Sequence, residues 1–264
     1  MPGIFNMMKS DVPAKSKGVV LFAVNTDRVD YIQIAEQAAR LIQHTLHLPT
    51  TIISDPGVDT ADNYRTGYGG GTQWRNGGRY RAYELSPYDE TILLDSDYLQ
   101  FDSSLLTVLD TTVDYKLMHH NQSPTQSMSG NMGQLSLDYV WATAITFKRT
   151  DKTQSLFDLV GRIERNYAYY QKLYQIRERN FRNDYAFAIA NNIINGYTTN
   201  TTQRIPWTML TIDKLVKNIE ITGEKMIIRE ENSAHVIAVQ NVHIMDKDYL
   251  LSSAFDQLVD TVCA

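Results

Sequence analysis

The 264-residue sequence has little of what usually settles a protein's class at sight. It holds one cysteine, Cys263, so no internal disulfide can form and a reducing, cytoplasmic setting is expected. The opening stretch MPGIFNMMKSDVPAKSKG has no apolar secretory core. The longest early apolar run, VVLFAV, falls far short of the roughly 20 residues a membrane-spanning helix needs, so no membrane partner is expected. No glycine-rich phosphate loop ending in GKS or GKT is present, and no internal repeat. Positive charge is not in excess either. The formal net charge of −5 argues against a uniform nucleic-acid coat and leaves room only for a local basic groove.

What is there is a globular composition. Apolar residues make up 43% and charged residues 21%, enough for a sizeable core and too apolar for a disordered chain. The 16 tyrosines offer either stacking surfaces for sugars or bases, or ordinary half-buried packing.

Residues 1–17 read as a loose, flexible leader. GVVLFAV (18–24) reads as a buried strand and TTIIS (50–54) as a second. Between them, VDYIQIAEQAARLIQHTL (29–46) places Ile32, Ala35, Ala39, Ile42 and Leu46 on one helical face. Strand, helix, strand at this spacing predicts a βαβ unit and a parallel sheet. Residues 55–80 then bring seven glycines with Arg65, Arg75 and Arg79. A long loop after a parallel strand lies where α/β sheets build ligand sites, and two readings stay open: a mobile surface loop, or one that orders over a ligand.

RAYELSPY predicts a short helix before the next strand, and SSLLTVLD (103–110) another after it. YKLMHH and YVWATAITFK read as strands separated by a polar, flexible segment at 121–134. One long helix is expected from about Gln154 to Tyr174, with Phe157, Val160, Ile163, Tyr167 and Tyr170 on one face. FRNDYAFAIANNIING predicts a further helix, capped by Asn183 or Asp184 and ended by Gly196. IPWTMLTI, VKNIEIT, EKMIIRE and AHVIAVQ read as strands, with a turn at ITGEKM and a closing helix over 246–262.

The stretch that bears chemistry is YDETILLDSDYLQFD (88–102). Thr91 to Leu94 have the look of a core strand, yet Asp95 and Asp97 follow at once with only Ser96 between them. Burying unpaired charge is costly, so each carboxylate must be solvated, paired or bound to a cation. A D-x-D at a strand end can present both side chains to one hard cation, Mg²⁺ or Mn²⁺, bridged to a diphosphate. His119 and His120 make a poorer metal pair, because neighbours on a strand point to opposite faces, and they are read as structural. Arg162, Arg165, Lys172, Arg177, Arg179 and Arg182 form a basic run diluted by Glu164 and Glu178. It is either a solvated helix face or a surface for a polyanionic acceptor.

Taken in order, VVLFAVNTDRVDYIQIAEQAARLI, YRAYELSPYDETILLDSDYL, ATAITFK, FRNDYAFAIA and NVHIMDK resemble the sugar-nucleotide glycosyltransferases of the GT-A fold. The likeness is greatest to glycogenin-type retaining enzymes and their phage-encoded relatives, some of which glycosylate hydroxymethylated pyrimidines in DNA. It covers roughly residues 18 to 250, and ETILLDSDYL is its most specific piece. The resemblance implies an α/β fold with a central mixed sheet and helices on both faces, as a single domain over 18–264 with a C-terminal extension. It implies transfer of a sugar from a nucleoside diphosphate sugar, a UDP-sugar, to a hydroxyl acceptor, which extends to 5-hydroxymethylpyrimidine in phage DNA, with Mn²⁺ or Mg²⁺ as cofactor and the host cytoplasm as setting.

Residue by residue, the family's metal ligands fall on Asp95, Asp97 and His243. Its arginine near the sugar and diphosphate falls on Arg81, with Ser96 also on the donor side. Its phosphate lysine falls on Lys247, although the usual H-x-x-G-x-K-P-W ending is not reproduced. The residue near the reacting sugar carbon falls on Asn183 or Asp184; the common D-Q-D pattern is missing. Asn25, Thr26 and Asp27, just after the first strand, would line the nucleobase pocket. Three rivals stand beside this reading: a nucleotidyltransferase, which would release pyrophosphate; a non-catalytic nucleotide-sugar-binding protein of the same fold; and a two-metal nuclease, for which no second carboxylate pair is found.

Overall fold

The computed structural model describes residues 16–57, 62–65, 72–109, 111–128, 131–132 and 137–264. At its centre lies the strand Glu90–Asp95, whose ETILL stretch is buried throughout. Lys17–Phe22 runs parallel beside it and Thr50–Ile53 parallel beside that. On the other side Trp141–Lys148 is antiparallel to the central strand, and Tyr115–Met118 is antiparallel in turn to Trp141–Lys148. The sheet is therefore mixed, as expected.

Alternation along these strands sends side chains into two cores. Val19, Leu21, Ile92 and Leu94 join the core formed with the helices Tyr31–Leu46 and Ser253–Val262. Val20, Leu93, Ile145 and Phe147 join the core formed with Asp151–Arg165 and Asn183–Ile194. Helices thus cover both faces. A second, smaller sheet runs Tyr98–Leu99, Val242–Ile244, Met209–Ile212, Asn121–Gln122, and a three-stranded meander spans Val216–Thr222, Lys225–Glu230 and Ala234–Ala238.

Several expectations are corrected. Residues 16 and 17 belong to the fold: Ser16 donates through N and Oγ to Asp89 Oδ2 at 2.9 and 2.8 Å, and Lys17 opens the first strand. The rest of the expected leader lies outside the described residues. Within 55–80, Asp62–Arg65 and Thr72–Arg75 pair antiparallel, so the stretch is not structureless. The two readings of its mobility fall partly on 58–61 and 66–71, which lie outside the described residues. In 121–134, Asn121–Gln122 pairs with Met209–Ile212, and Asn121 is buried.

The long helix starts earlier and is broken. Thr150 caps it by accepting from Thr153 N at 3.3 Å. Asn166 then ends it with φ −123° while its Nδ2 bonds back to Arg162 O at 2.9 Å, the local competition by which asparagine interrupts helices. Tyr167–Leu173 continues as a separate helix. Of the expected face, Phe157, Val160, Ile163 and Tyr167 are buried and Tyr170 is half-buried. In Asn183–Ile194 the cap position is Arg182, so neither Asn183 nor Asp184 caps the helix; both sit inside its first turn. Gly196, with φ +61°, follows its end as expected. The closing helix is also two pieces, Lys247–Leu250 and Ser253–Val262, with Ser252 capping the second.

His119 is buried and His120 exposed, in line with their structural reading. Burial, with the nearby Arg204 charge, pushes the His119 imidazole down to about 4. Between that value and the ordinary 6.5 the unfolded chain binds a proton that the folded chain does not. The stability from a neutral His119 is therefore complete above pH 6.5 and lost as the pH falls towards 4, to a total of about 3 kcal/mol. Urea midpoints followed across this window should fall more steeply for the native chain than for His119→Gln; equal slopes would contradict the assignment.

Candidate active site

Asp95 is the last residue of the central strand, so its carboxylate leaves the sheet at the C-terminal edge of the parallel strands. The chain turns through Ser96 and Asp97 into Tyr98–Leu99. That short strand pairs antiparallel with Val242–Ile244, and the register sets Tyr98 opposite His243. Ile244 N also donates to Asp97 O at 2.9 Å. Backbone pairing therefore brings His243 to the acid pair across more than half the sequence. One ligand atom each from Asp95, Asp97 and His243 lies within 4.8 Å of the others.

The hydrogen bonds behind His243 define its role. Thr211 Oγ1 donates to Asn121 Oδ1 at 2.8 Å, so it accepts from His243 Nδ1 at 3.2 Å. Nε2 faces Asp97 Oδ1, 3.4 Å away, and in the neutral ring it would present its lone pair there. Two acceptors turned towards each other suit a cation between them. Two carboxylates and one neutral imidazole with a hydrogen-bonded second nitrogen fit a hard or borderline divalent ion.

Two side-chain cations flank the acids. Arg79 is 5% exposed and its Nη1 donates to Asp95 Oδ1, while its Nε and Nη2 are buried without a hydrogen-bond partner among the described residues. The turn that carries it is held by the helix Asp151–Arg165. Glu164 Oε1 accepts from Gly78 N at 3.0 Å, and Gly161 lets the Tyr80 ring approach so closely that an added Cβ would lie 2.7 Å from it. From the other side Lys247 Nζ meets Asp97 Oδ2 at 2.5 Å and also donates to the carbonyls of Ile244 and Met245, each at 3.2 Å. Burial alone would raise the Asp97 pKa; the Lys247 ammonium overrides it and holds the carboxyl well below the ordinary range.

These groups line one cavity of about 260 Å³. Its walls include Phe22, Tyr31 and Trp141, and burial, aided by the charges of Asp97 and Asp95, pushes the Tyr31 hydroxyl pKa well up. Asn183 and Asp184 also line the cavity. Asn183 Nδ2 donates to Asn76 O at 2.7 Å, leaving its buried Oδ1 without a partner among the described residues. Asp184 is fully engaged: Oδ1 accepts from Ala142 N at 2.9 Å and Oδ2 binds Arg182 through Nε and Nη2 at 3.0 and 2.7 Å.

The structure thus gathers Asp95, Ser96, Asp97, Asn183, Asp184, His243 and Lys247 at one cavity. Arg81 is not among the lining residues. Its Nη1 donates to Pro56 O and its other nitrogens to Glu84, with Nη2 at 3.0 Å from Oε1. Nor do Asn25, Thr26 and Asp27 line it. Asn25 Oδ1 accepts from Ile32 N at 3.0 Å, Thr26 Oγ1 accepts from Val29 N at 3.1 Å, and Asp27 is exposed. Sequence reasoning missed Arg79, Tyr31, Trp141 and Arg182 as cavity residues. Arg79–Arg81 is a turn of 3-10 helix, where residues two apart face different ways, so only one of the two arginines can meet Asp95.

No family model matches the chain, and no curated protein matches it. Among solved structures it is similar to the apo-form glycosyltransferase GlyE from Streptococcus pneumoniae TIGR4, at 14% identity and TM-score 0.35 over 71% of this chain and 44% of that one. It is also similar to the WbbM bifunctional glycosyltransferase in its apo structure, at 14% identity and TM-score 0.33 over 57% of this chain and 35% of that one. The chain spans less than half the length of either protein. Similarity of this depth decides nothing about chemistry, which has to come from the site itself.

The geometry separates two kinds of carboxylate. Asp184→Asn removes the charge that holds Arg182 and should lower unfolding stability in urea by about 2 kcal/mol while leaving Mn²⁺ affinity as it was. Asp97→Asn should weaken Mn²⁺ binding by about tenfold or more, read by electron paramagnetic resonance of the free ion. Loss of Mn²⁺ affinity in Asp184→Asn and not in Asp97→Asn would reverse the assignment.

Proposed function

We propose that the chain is a metal-assisted glycosyltransferase of the GT-A type, moving a sugar from a nucleoside diphosphate sugar to a hydroxyl acceptor with retention, as one domain over 16–264. One observation supports this most: Asp95, Asp97 and His243 converge on a cavity that Arg79 also lines, with its Nε and Nη2 buried and without a hydrogen-bond partner among the described residues. A diphosphate leaving group needs both partners, a hard cation and directly donated hydrogen bonds, because its negative charge grows as the glycosidic C–O bond breaks. Bound Mn²⁺ or Mg²⁺ supplies a Lewis acid for that charge.

The residues divide the remaining work. Asp95, Asp97 and His243 hold the ion, with Thr211 fixing the imidazole tautomer. Arg79 donates Nε–H and Nη2–H to a diphosphate oxygen, the part that the resemblance assigned to Arg81. Asn183 Oδ1 accepts from a hydroxyl of the donor sugar. Asp184 positions Arg182 and the start of Trp141–Lys148, and so shapes the wall near the sugar carbon. Tyr31 and Trp141 restrict water on the apolar side.

The uridine base, the retaining outcome and the acceptor rest on the resemblance together with one surface feature. Arg162, Arg165, Lys172, Arg177 and Arg179 are exposed along one segment of a chain whose net charge is −5. Arg182 does not belong with them, since it is paired with Asp184 at the cavity. A local basic surface on an acidic protein suits a polyanionic acceptor held by a small number of contacts, such as DNA bearing 5-hydroxymethylpyrimidine, and the affinity should then fall as salt rises.

The test is incubation with a panel of nucleotide sugars and Mn²⁺, with product analysis. A nucleoside diphosphate should appear, and Arg79→Met should weaken its binding by roughly 10- to 100-fold, as expected for a lost buried charged contact. Release of pyrophosphate would favour a nucleotidyltransferase, and binding without turnover of any donor a catalytically silent protein. Adding duplex DNA with and without 5-hydroxymethylpyrimidine decides the acceptor.

A further inference from the structure

The two acids of the candidate metal site each have a partner cation of the chain's own. Asp95 is met by Arg79 and Asp97 by Lys247. Two negative and two positive side-chain charges therefore cancel before any ion arrives. A divalent cation placed between Asp95, Asp97 and His243 would leave the cluster with two uncompensated positive charges, largely out of water. Such an excess is costly in a low-dielectric setting. A diphosphate that carries two negative charges restores the balance.

We propose that Lys247 is a built-in counter-ion on Asp97 that makes divalent-metal binding conditional on a diphosphate. The inference rests on the metal-diphosphate reading of the site and adds a role that reading does not contain. Three features of Lys247 support it. Its side chain is 7% exposed, so water screens it little. All three of its ammonium protons are used, on Asp97 Oδ2 and on the carbonyls of Ile244 and Met245, so it is fixed in place and not a mobile surface lysine. It takes Oδ2 and leaves Oδ1 on the His243 side, so Asp97 can offer a metal one oxygen while still holding the ammonium.

The lysine's position follows from the fold. Asp246 caps the short helix Lys247–Leu250 by accepting from Tyr249 N at 3.2 Å, and its Oδ2 accepts from Val216 N at 2.8 Å. Lys247 is thus anchored to the meander as well as to Asp97. A merely structural lysine would affect stability and leave the coupling between two ligands unchanged. A counter-ion role changes that coupling, and by linkage the change appears equally in the metal and in the nucleotide affinity.

The experiment measures Mn²⁺ affinity by electron paramagnetic resonance with and without uridine diphosphate, for the native chain, Lys247→Met and Lys247→Arg. In the native chain Mn²⁺ alone should bind weakly and the nucleotide should tighten it strongly. In Lys247→Met, Mn²⁺ alone should bind about tenfold tighter or more, because one nearby positive charge is gone, and the tightening by nucleotide should shrink. Lys247→Arg keeps the charge and should follow the native chain. Unchanged or weaker binding of Mn²⁺ alone in Lys247→Met would overturn the proposal. The native chain supplies an independent check if the Met variant does not fold: tight Mn²⁺ binding without nucleotide overturns the proposal while leaving the metal site intact. Failure of the native chain to bind Mn²⁺ even with nucleotide would remove the metal reading and this proposal with it.

Discussion

Asp97 sits nine-tenths out of water at the end of a central strand, and its charge has to be met from inside the fold. Lys247 meets it directly, and His243 stands beside it. Both come from the last quarter of the sequence, so the C-terminal segment cannot be a loose appendage to the sheet. It threads Val242–Ile244 into register with Tyr98–Leu99, and the short helix that follows points its first residue back at the acid. Removing Lys247 would leave a buried carboxylate without its cation, which costs far more than an exposed ion pair contributes.

The opposite wall obeys the same rule from the other end of the site. Arg79 is buried, and its guanidinium is met by Asp95 through Nη1. The turn that carries Arg79 rests on the helix Asp151–Arg165 through Glu164 and through the contact that Gly161 permits to Tyr80. Arg165 lies over the same ring at 5.6 Å. The cavity is therefore framed by two cations approaching two acids from different elements, with a third acid, Asp184, already committed to Arg182. An arrangement with matched internal charge is preorganised for a ligand that brings both a cation and an anion.

The parts of the fold with strong periodicity were legible in the sequence. The βαβ start, the central strand and the pairing of Asp95 with Asp97 needed only alternation, helical spacing and the cost of burying charge. His243 came from the family resemblance and not from spacing, because nothing local marks a residue that backbone pairing delivers from 146 positions away. The break at Asn166 depends on one side-chain hydrogen bond, which a continuous apolar face conceals. The choice between Arg79 and Arg81 depends on which way each faces from a single turn of 3-10 helix, and residue type cannot settle it. Asn183 and Asp184 read as helix caps by composition, yet tertiary contacts to Asn76 and Ala142, with the neighbouring Arg182, claim both side chains.

The proposed function requires that the strand-end acids and His243 form a single divalent-cation site that shares its ion with a diphosphate. Crystals grown with Mn²⁺ and a nucleoside diphosphate, with diffraction recorded at the manganese absorption edge, test it most directly. One anomalous peak is expected in ligand contact with Asp95, Asp97 Oδ1 and His243 Nε2, touching the diphosphate, with Lys247 still beside Asp97 Oδ2. A bound nucleotide with no manganese peak among those three residues would contradict it.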